Sequence, residues 1–333
     1  MSQPTMEDVA RLAGVSRALV SLVIRDSPKV SERSRRDVLA AAEQLGYRPN
    51  LIARNLASRR TMMIGVLLND LHNPFFAEVA DGILEAADRT DYRILFSTGR
   101  RDPGDEAAAV EAFLELRVDG VILVSPNIPV SQVEAAAGDV PLVVVCRSLR
   151  SHVVDTVTND ERVGAELAVA HLVGLGHRLI VHIDGGRGAG GPQRREGYRR
   201  AMRRHGLADQ ACIVRGDFTE ESGTRAVAEL LEGAALPTAI FAANDVSAVG
   251  AFDRLEQAGL RVPEDVSLIG YDNTSLAAMH HLSLTTIDQP RAAMGRLAFE
   301  TLLERIGRSR PTAVNHAVVP SLVVRRSTAP PTR

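Results

Sequence analysis

The sequence predicts an α/β protein with a small helical module at its N-terminus. About the first 60 residues contain short helical segments, whereas beyond Met62 short apolar runs alternate with longer helical stretches. Such alternation is typical of parallel sheets that are covered by helices on both faces. Because about ten alternating units are too many for one open sheet of ordinary size, we expect two lobes. Ligands bind at the carboxyl ends of parallel strands, so we expect a site in the cleft between the lobes.

The composition excludes several protein classes. The chain has 333 residues, of which 45% are hydrophobic and 24% charged, and its net charge is -2, as in ordinary globular proteins. No apolar run approaches the roughly 20 residues that cross a bilayer, and no secretory signal pattern is present, so we expect no membrane partner. The two cysteines, Cys146 and Cys212, cannot build a disulfide framework or a four-ligand zinc site. We therefore expect a reducing, cytoplasmic location.

The charges are distributed unevenly along the chain. Residues 1–60 carry eleven basic and six acidic side chains, a net charge of +5, whereas the remainder carries 28 basic and 35 acidic side chains, a net charge of -7. A basic module on an acidic body favours a polyanionic partner for the module. The alternative at this point is a charged face that is merely solvated.

Cap and turn residues predict four short helices in the basic module. Each starts after a Ser, Thr or Asn that can cap it, and glycine ends the first and third. The four predicted segments are Thr5 to Gly14, Ser16 to Arg25, Ser31 to Gly46 and Asn50 to Ser58.

The larger region supplies the predicted sheets. The strand-like runs are Ile64–Leu68, Arg93–Ser97, Gly120–Val124, Leu142–Val145, Leu179–Ile183, Cys212–Arg215, Ala239–Ala242 and Ser267–Gly270. The helical stretches are Phe76–Arg89, Asp105–Arg117, Val163–Gly174, Arg195–His205, Glu221–Glu232, Val246–Ala258 and Arg291–Ile306. We expect residues 329–333 to form a loose tail.

The first two helices have the spacing of a helix-turn-helix, joined through Ala13, Gly14 and Val15. In that motif the second helix lies in the major groove of DNA. The alternative is an ordinary helical subdomain. The side chains that would face the groove are Ser16, Arg17, Ala18, Ser21, Leu22 and Arg25.

Ordered motifs along nearly the whole chain carry a more specific signal. They are Met6–Ser16, Ser27–Ser31, Leu45–Asn50, Ala53–Leu56, Asn73–Phe76, His171–Arg178, Phe218–Gly223, Ala243–Asp245, Gly270–Asp272 and Leu284–Gln289. In this order and spacing the chain resembles the LacI/GalR family of bacterial transcription regulators. The resemblance implies a regulator, most simply a repressor, that binds a near-palindromic operator as a homodimer with its dimer face on the larger region.

The resemblance also implies how the N-terminal region meets DNA. Residues 1–49 would form the DNA-binding domain, and residues 50–61 a hinge helix and linker that enters the minor groove. Leu56 would open a central base step, and Arg54 would read a narrow groove. A plain linker contact is the alternative for Leu56. Further DNA-binding positions that the family implies are Thr5, Tyr47, Asn50 and Ala53.

The predicted recognition helix departs from the family pattern. Leu19 and Leu22 stand where the family usually has Thr and Arg. Leu22 can offer only apolar contact, for example to a thymine methyl group. We therefore expect Arg17 to read bases and Arg25 to contact phosphate or base, and the operator to differ from typical family sites.

Residues 62–328 resemble the periplasmic-binding-protein-like sensor of the family, which is also its dimerisation domain. The implied first lobe comprises about residues 62–160 and 290–320, and the second about 161–289 and 321–328. The effector would be a small polar molecule, a sugar or sugar derivative. The cleft positions that the motifs imply are Asn69, Asp70, Phe75, Phe76, Cys146, Arg194, Phe218, Asn244, Asp272 and Gln289.

Several of these positions have other interpretations. Arg194 and Asp272 could form a structural ion pair, and Phe75 and Phe76 could belong to the core. Cys146 stands where the family often has an acidic residue, so one sugar contact would be lost. The glycine-rich run 185–191 suggests a phosphate loop but lacks the Gly-Lys-Ser/Thr ending. We interpret it as a flexible loop before the helix that carries Arg194, with phosphate recognition as the alternative.

Two other classes of function compete. A solute-binding transport protein of the same fold would need a signal peptide and would not need residues 1–60. A sugar- or nucleotide-processing enzyme would need a catalytic motif, and neither a Gly-x-Ser-x-Gly elbow nor His-Glu-x-x-His is present. The sequence therefore predicts no catalytic residue, no metal site and no cofactor.

Overall fold

A computed structural model describes residues 4–24, 27–47, 60–233, 236–308 and 312–332. The chain divides into two compact units, Met1–Met62 and Met63–Arg333. We call the first the head and the second the sensor.

The head contains three described helices, α1 Met6–Ala13, α2 Arg17–Ile24 and α3 Glu32–Leu45. Thr5 caps α1 in a capping box with Asp8, and Ser31 caps α3. Gly14 and Gly46 end their helices at φ 68° and 63°, where a Cβ would be strained. The predicted helix from Asn50 to Ser58 lies outside the described residues, as does Arg25.

The sensor contains two six-stranded sheets. Strand order in the first is β11-β5-β4-β3-β1-β2, and in the second β12-β10-β9-β8-β6-β7. The strands are β1 Met63–Leu68, β2 Arg93–Thr98, β3 Gly120–Val124, β4 Leu142–Val145, β5 Asp155–Asn159, β6 Ile180–Ile183, β7 Cys212–Val214, β8 Ala239–Ala242, β9 Ser267–Asp272, β10 Thr285–Asp288, β11 Asn315–Val318 and β12 Ser321–Val323.

Helices cover both faces of each sheet and bury its apolar residues. They are α4 Pro74–Ala87, α5 Pro103–Glu115, α6 Val130–Asp139, α7 Glu161–Gly174, α8 Gly191–Arg204, α9 Glu220–Glu232, α10 Asp245–Gln257 and α11 Arg291–Ile306. The α/β architecture with two lobes and mainly parallel sheets is thus as the sequence predicts.

The chain passes between the two sheets three times. It leaves the first sheet after β5, returns to it after β10, and crosses again between β11 and β12. The sequence patterns missed the elements next to these passages. Strand β5 (Asp155–Asn159) is largely polar, and β11 and β12 are short edge strands with exposed positions. None of these three strands therefore shows a continuous apolar run. One pairing is antiparallel, β10 with β12.

The expectation of a loose C-terminal tail is wrong for the described part of it. The Ala329 carbonyl lies 2.8 Å from Nε2 of buried His177 and accepts a hydrogen bond from Ser267 Oγ. The Ala329 amide in turn donates to Ser267 Oγ, and the Thr332 hydroxyl donates to the Glu264 carbonyl. A histidine of the family motifs therefore fixes the chain end against the second sheet.

His182 is fully buried in β6, the strand of the second sheet next to the edge strand β7. Its ring stacks between Tyr198 and Phe241, with centroids 5.3 and 4.6 Å away. Nδ1 donates to the Phe241 carbonyl at 2.9 Å, whereas no donor among the described residues reaches Nε2. Burial lowers the pKa of His182 to about 4, so the ring is neutral in the folded protein at neutral pH.

We predict that His182 makes the sensor sensitive to acid. Its pKa is about 6.5 when unfolded, so unfolding takes up a proton, and stability falls as the pH drops from about 6.5 towards 4. At pH 5 this group alone lowers the free energy of unfolding by about 2 kcal/mol relative to pH 8. Urea denaturation at several pH values should show a shallower pH dependence for His182→Phe than for the wild type. A replacement of exposed His280 is the control, and an equal slope in His182→Phe would contradict the assignment.

Candidate functional site

A cavity of about 280 Å³ lies between the lobes, where the carboxyl ends of both sheets face each other. All ten cleft residues named from the sequence line it. Residues that the sequence patterns missed also line it, and they are Asn73, Arg101, Pro103, Ser125, Asn127, Glu161, Gly185, Arg187, Gly188, Ala189 and Asp217.

The floor of the cavity on the second lobe is built around Arg194, a buried side chain of α8. Its Nε donates to Glu161 Oε2 at 2.7 Å, and its Nη1 donates to the Ala243 carbonyl at 2.5 Å. The guanidinium lies 3.7 Å from the centroid of the Tyr271 ring and 5.5 Å from that of Phe218. Its main counter-ion is therefore Glu161, at the start of α7.

Asp272 ends β9 beside this guanidinium. Its Oδ1 accepts from Gln289 Nε2 at 2.5 Å and lies 3.6 Å from Arg194 Nη1. Burial raises the pKa of the Asp272 carboxyl, and the nearby Arg194 charge opposes the shift. The ion pair between Arg194 and Asp272, which the sequence offered as an alternative to a ligand-binding role, is present. It is longer than the pair between Arg194 and Glu161.

The side-chain amide of Gln289 has its nitrogen bonded and its oxygen without a partner among the described residues. Its Nε2 donates to Asp272, while Oε1, buried at the cavity, has no hydrogen-bond partner among the described residues. Buried polar atoms are normally satisfied, so this oxygen favours a donor on a bound ligand. By contrast, Asn244 caps α10 with its Oδ1 and donates from Nδ2 to the Phe218 carbonyl.

The Phe218 ring packs against the glycine-rich loop. A Cβ at Gly185 would lie 2.1 Å from the ring and one at Gly188 2.8 Å from it, so both positions require glycine. The run 185–191 thus forms the surface on which the Phe218 ring packs at the cavity wall. Helix α8 starts at the last residue of this run, Gly191.

The wall on the first lobe combines polar side chains with two phenylalanine rings. Phe75 and Phe76 are buried, lie edge to face with ring centroids 5.3 Å apart, and belong both to the core and to the lining. Asn69 donates to the Ser125 carbonyl at 2.8 Å, while Asp70 receives bonds only from nearby His72 among the contacts described. Burial raises the pKa of Cys146, which keeps its thiol neutral and a poor acceptor for hydroxyl groups.

Polar contacts join the two lobes on both sides of the cavity. Glu78 of α4 accepts from the Ser275 amide of the second lobe at 3.3 Å and from Arg291 Nε of its own lobe at 2.6 Å. Arg291 in turn donates to the Asp272 carbonyl of the second lobe. Near the glycine-rich loop, Arg101 of the first lobe donates to the Asp217 carbonyl of the second. The lobes are therefore in contact around the cavity in this structure.

In the head, the predicted DNA-contacting residues fall into two groups. Arg17 and Ala18 are exposed on α2, and Ser16 accepts from the Leu19 amide at the start of that helix. Ser21 is half-buried on α2. Leu22 and Tyr47 are partly buried against the head core, so each has a packing role as well.

Thr5 bonds to Asp8 in the capping box, so its hydroxyl already has a partner. The remaining predicted positions, Arg25, Asn50, Ala53, Arg54 and Leu56, lie outside the described residues.

Comparisons with known proteins agree with this architecture. The model for bacterial regulatory proteins of the lacI family matches residues 5–50, and the periplasmic binding protein-like domain matches residues 169–328. Catabolite control protein A of Priestia megaterium is 37% identical over 302 residues, which is 90% of this chain and 91% of that protein.

Two solved structures extend the match over nearly the whole chain. The Lac repressor dimer bound to operator and the anti-inducer ONPF has a TM-score of 0.88 at 30% identity, covering 98% of this chain and 100% of that one. The transcriptional regulator CelR–cellobiose complex has a TM-score of 0.74 at 34% identity, covering 97% and 99%. The chain belongs to the lacI family of bacterial regulatory proteins. It is therefore a DNA-binding transcription regulator of the repressor type, and its matched relatives are named as regulators rather than enzymes.

Across the described residues, no group of three or more His, Cys, Asp or Glu side chains is arranged to hold a metal ion. None of the described helices is both long and apolar enough to cross a membrane.

We predict that the Glu161–Arg194 pair stabilises the sensor far more than a surface pair on the same helix. Both partners are more than nine-tenths buried, so Glu161→Gln leaves a buried cation without its main counter-ion, at a cost of about 3 kcal/mol or more. Glu166→Gln is the matched control, because Glu166 pairs with the exposed Arg200 and Arg204 and should cost at most about 1 kcal/mol. Urea unfolding followed by circular dichroism measures both, and equal losses would refute this role of Glu161.

Proposed function

We propose that this protein is a homodimeric repressor that binds a near-palindromic operator and is switched by a small polar effector, a sugar or sugar derivative, in the cavity between the lobes. The observation that carries the proposal is that one cavity brings together ten motif residues separated by up to 220 positions, Asn69 to Gln289. The match to regulators in complex with operator DNA and with cellobiose supports both halves of the proposal.

The lining suits a molecule with several hydroxyl groups and an apolar face. Asp70 and the open Oε1 of Gln289 are acceptors for hydroxyl donors. Phe75, Phe76 and Phe218 offer aromatic surface on which the C–H face of a sugar ring packs. A cavity of about 280 Å³ limits the ligand to a small molecule, and both lobes contribute to its contacts.

We expect a sugar screen by thermal shift to find a ligand whose binding depends on Asp70. Asp70→Ala removes a partly exposed acceptor and should weaken that ligand about tenfold, the usual effect of losing a hydrogen bond to a charged group. Asp81→Ala, an exposed carboxylate of α4 outside the cavity, is the matched control and should leave affinity unchanged. If nucleobases stabilised the protein and no sugar did, the proposed effector class would be wrong. If Asp70→Ala and Asp81→Ala changed ligand affinity equally, the ligand would not bind at Asp70.

The operator reading rests on the exposed face of α2. Arg17 is a long donor on that face, and its guanidinium suits the two acceptors of guanine in the major groove. Leu22 is partly buried against the head core, and its exposed part can offer only an apolar contact to a base. A dimer would present two such faces to two half-sites.

We expect DNA selected from a random pool to contain two inverted half-sites. Arg17→Ala should relax base preference at one position of each half-site, with a loss of about 1–3 kcal/mol in discrimination. Arg33→Ala removes one equally exposed charge from α3 and should lower affinity uniformly without altering the motif. A selected motif with a single half-site would contradict the dimer, and an unchanged motif for Arg17→Ala would contradict base reading by that residue.

A further inference from the structure

A second cavity of about 930 Å³ lies in the second lobe, at the sheet edge formed by β7. Helices α8 and α9 and the turn after β7 form its walls. It is larger than the cavity between the lobes, and Gly186 and Arg187 of the glycine-rich run 185–191 are part of its lining. Its volume is in the range of small-molecule sites.

Five arginines line this cavity, and three of them have no carboxylate partner. Arg195 pairs with Asp184 at 3.1 Å, and Arg225 pairs with Asp217 at 3.7 Å. Within the described parts of the chain, Arg187, Arg199 and Arg215 make no ion pair and are exposed. These three come from three separate segments, the glycine-rich loop, α8 and the turn after β7, so their charges converge on one space.

The carboxylates of the cavity do not neutralise this charge. Asp184 is buried and already accepts from the Gly186 and Gly216 amides at 3.0 and 3.1 Å. Asp217 accepts from the Thr219 hydroxyl and amide, and those hydrogen bonds lower the pKa of its carboxyl against the opposing effect of burial. Glu229 is the remaining acidic side chain of the lining.

We propose that this cavity binds a small molecule that carries two or more phosphate groups. Guanidinium groups bind phosphate oxygens through paired, charge-assisted hydrogen bonds, and three unpaired ones around a single concave space suit more than one phosphate. The concave shape between two helices favours a compact ligand over a nucleic-acid strand, which needs an open groove along its backbone.

The proposed site adjoins the effector cavity. Arg187 and Asp217 line both cavities, and the Asp217 carbonyl receives the bond from Arg101 that joins the lobes. A phosphate ligand at Arg187 and Arg215 therefore acts on the same loop that contacts the first lobe. The two sites still differ chemically, because Arg199 and Arg215 line only the second cavity, whereas Gln289 and the phenylalanine rings line only the cavity between the lobes.

Titration calorimetry of the full chain with inorganic tripolyphosphate at fixed ionic strength tests the proposal. We expect Arg199→Gln and Arg215→Gln each to weaken binding about tenfold, since each removes a charged hydrogen-bond donor from an exposed position. Glu229→Gln should tighten binding, because it removes an opposing charge. Arg203→Gln is the matched control, one turn further along α8 and outside this cavity, and should change affinity by no more than about twofold.

Four results would overturn the proposal. The first is no binding of tripolyphosphate, and the second is an equal loss of affinity in Arg203→Gln, which would indicate general charge attraction. The third is a loss in Arg101→Gln but not in Arg199→Gln, which would place the anion between the lobes. The fourth is binding that is insensitive to Arg199 and Arg215, which would assign the anion to the head. A DNA duplex that displaces tripolyphosphate through these two arginines would also replace the proposed ligand. None of these results bears on whether the effector cavity binds a sugar.

Discussion

The set of contacts made by the buried guanidinium of Arg194 is the interaction on which the cavity floor of the second lobe depends. It joins Glu161 at the start of α7, the carbonyl that follows β8 and the ring and carboxylate that end β9. A cation in this position is costly to bury unless several partners satisfy it. Since those partners come from different elements, satisfying the charge fixes the spacing of the strand ends, and the strand ends are the floor of the cavity.

Small residues make that arrangement sterically possible. A Cβ at Gly197 would lie 2.7 Å from the Arg162 carbonyl, and one at Gly164 would lie 2.1 Å from the Tyr271 hydroxyl. Helices α7 and α8 therefore approach closely, so that Glu161 of α7 contacts the Arg194 side chain of α8. Tyr271 takes part on both sides, because its hydroxyl accepts from Asn159 at 2.8 Å while its ring stacks on Arg194. Asn159 ends β5 of the first lobe, so the network also spans the passage between lobes.

The sequence predicts the buried parts of the fold well because burial leaves a local pattern. Strands such as Gly120–Val124 and Leu142–Val145 are continuous apolar runs, and caps such as Thr5 and Ser31 mark helix starts. Strand β5 has no such pattern, since its polar side chains are buried by partners far along the chain, for example Asp155 by Arg305 at 3.0 Å.

The candidate site likewise contains residues that the sequence identifies and residues that only the structure identifies. Its motif residues are recognisable because the family resemblance marks them, whereas Glu161 and Arg101 act through contacts 33 and 116 positions away that no local spacing encodes. This distinction also bears on the proposed switching. A ligand shifts the balance between two arrangements of the lobes only by binding one of them better. A molecule held by the Arg194 floor alone would contact one lobe and shift nothing. The proposed switching therefore requires acceptors that face the ligand from the other lobe, and Asp70 lines the cavity on that side.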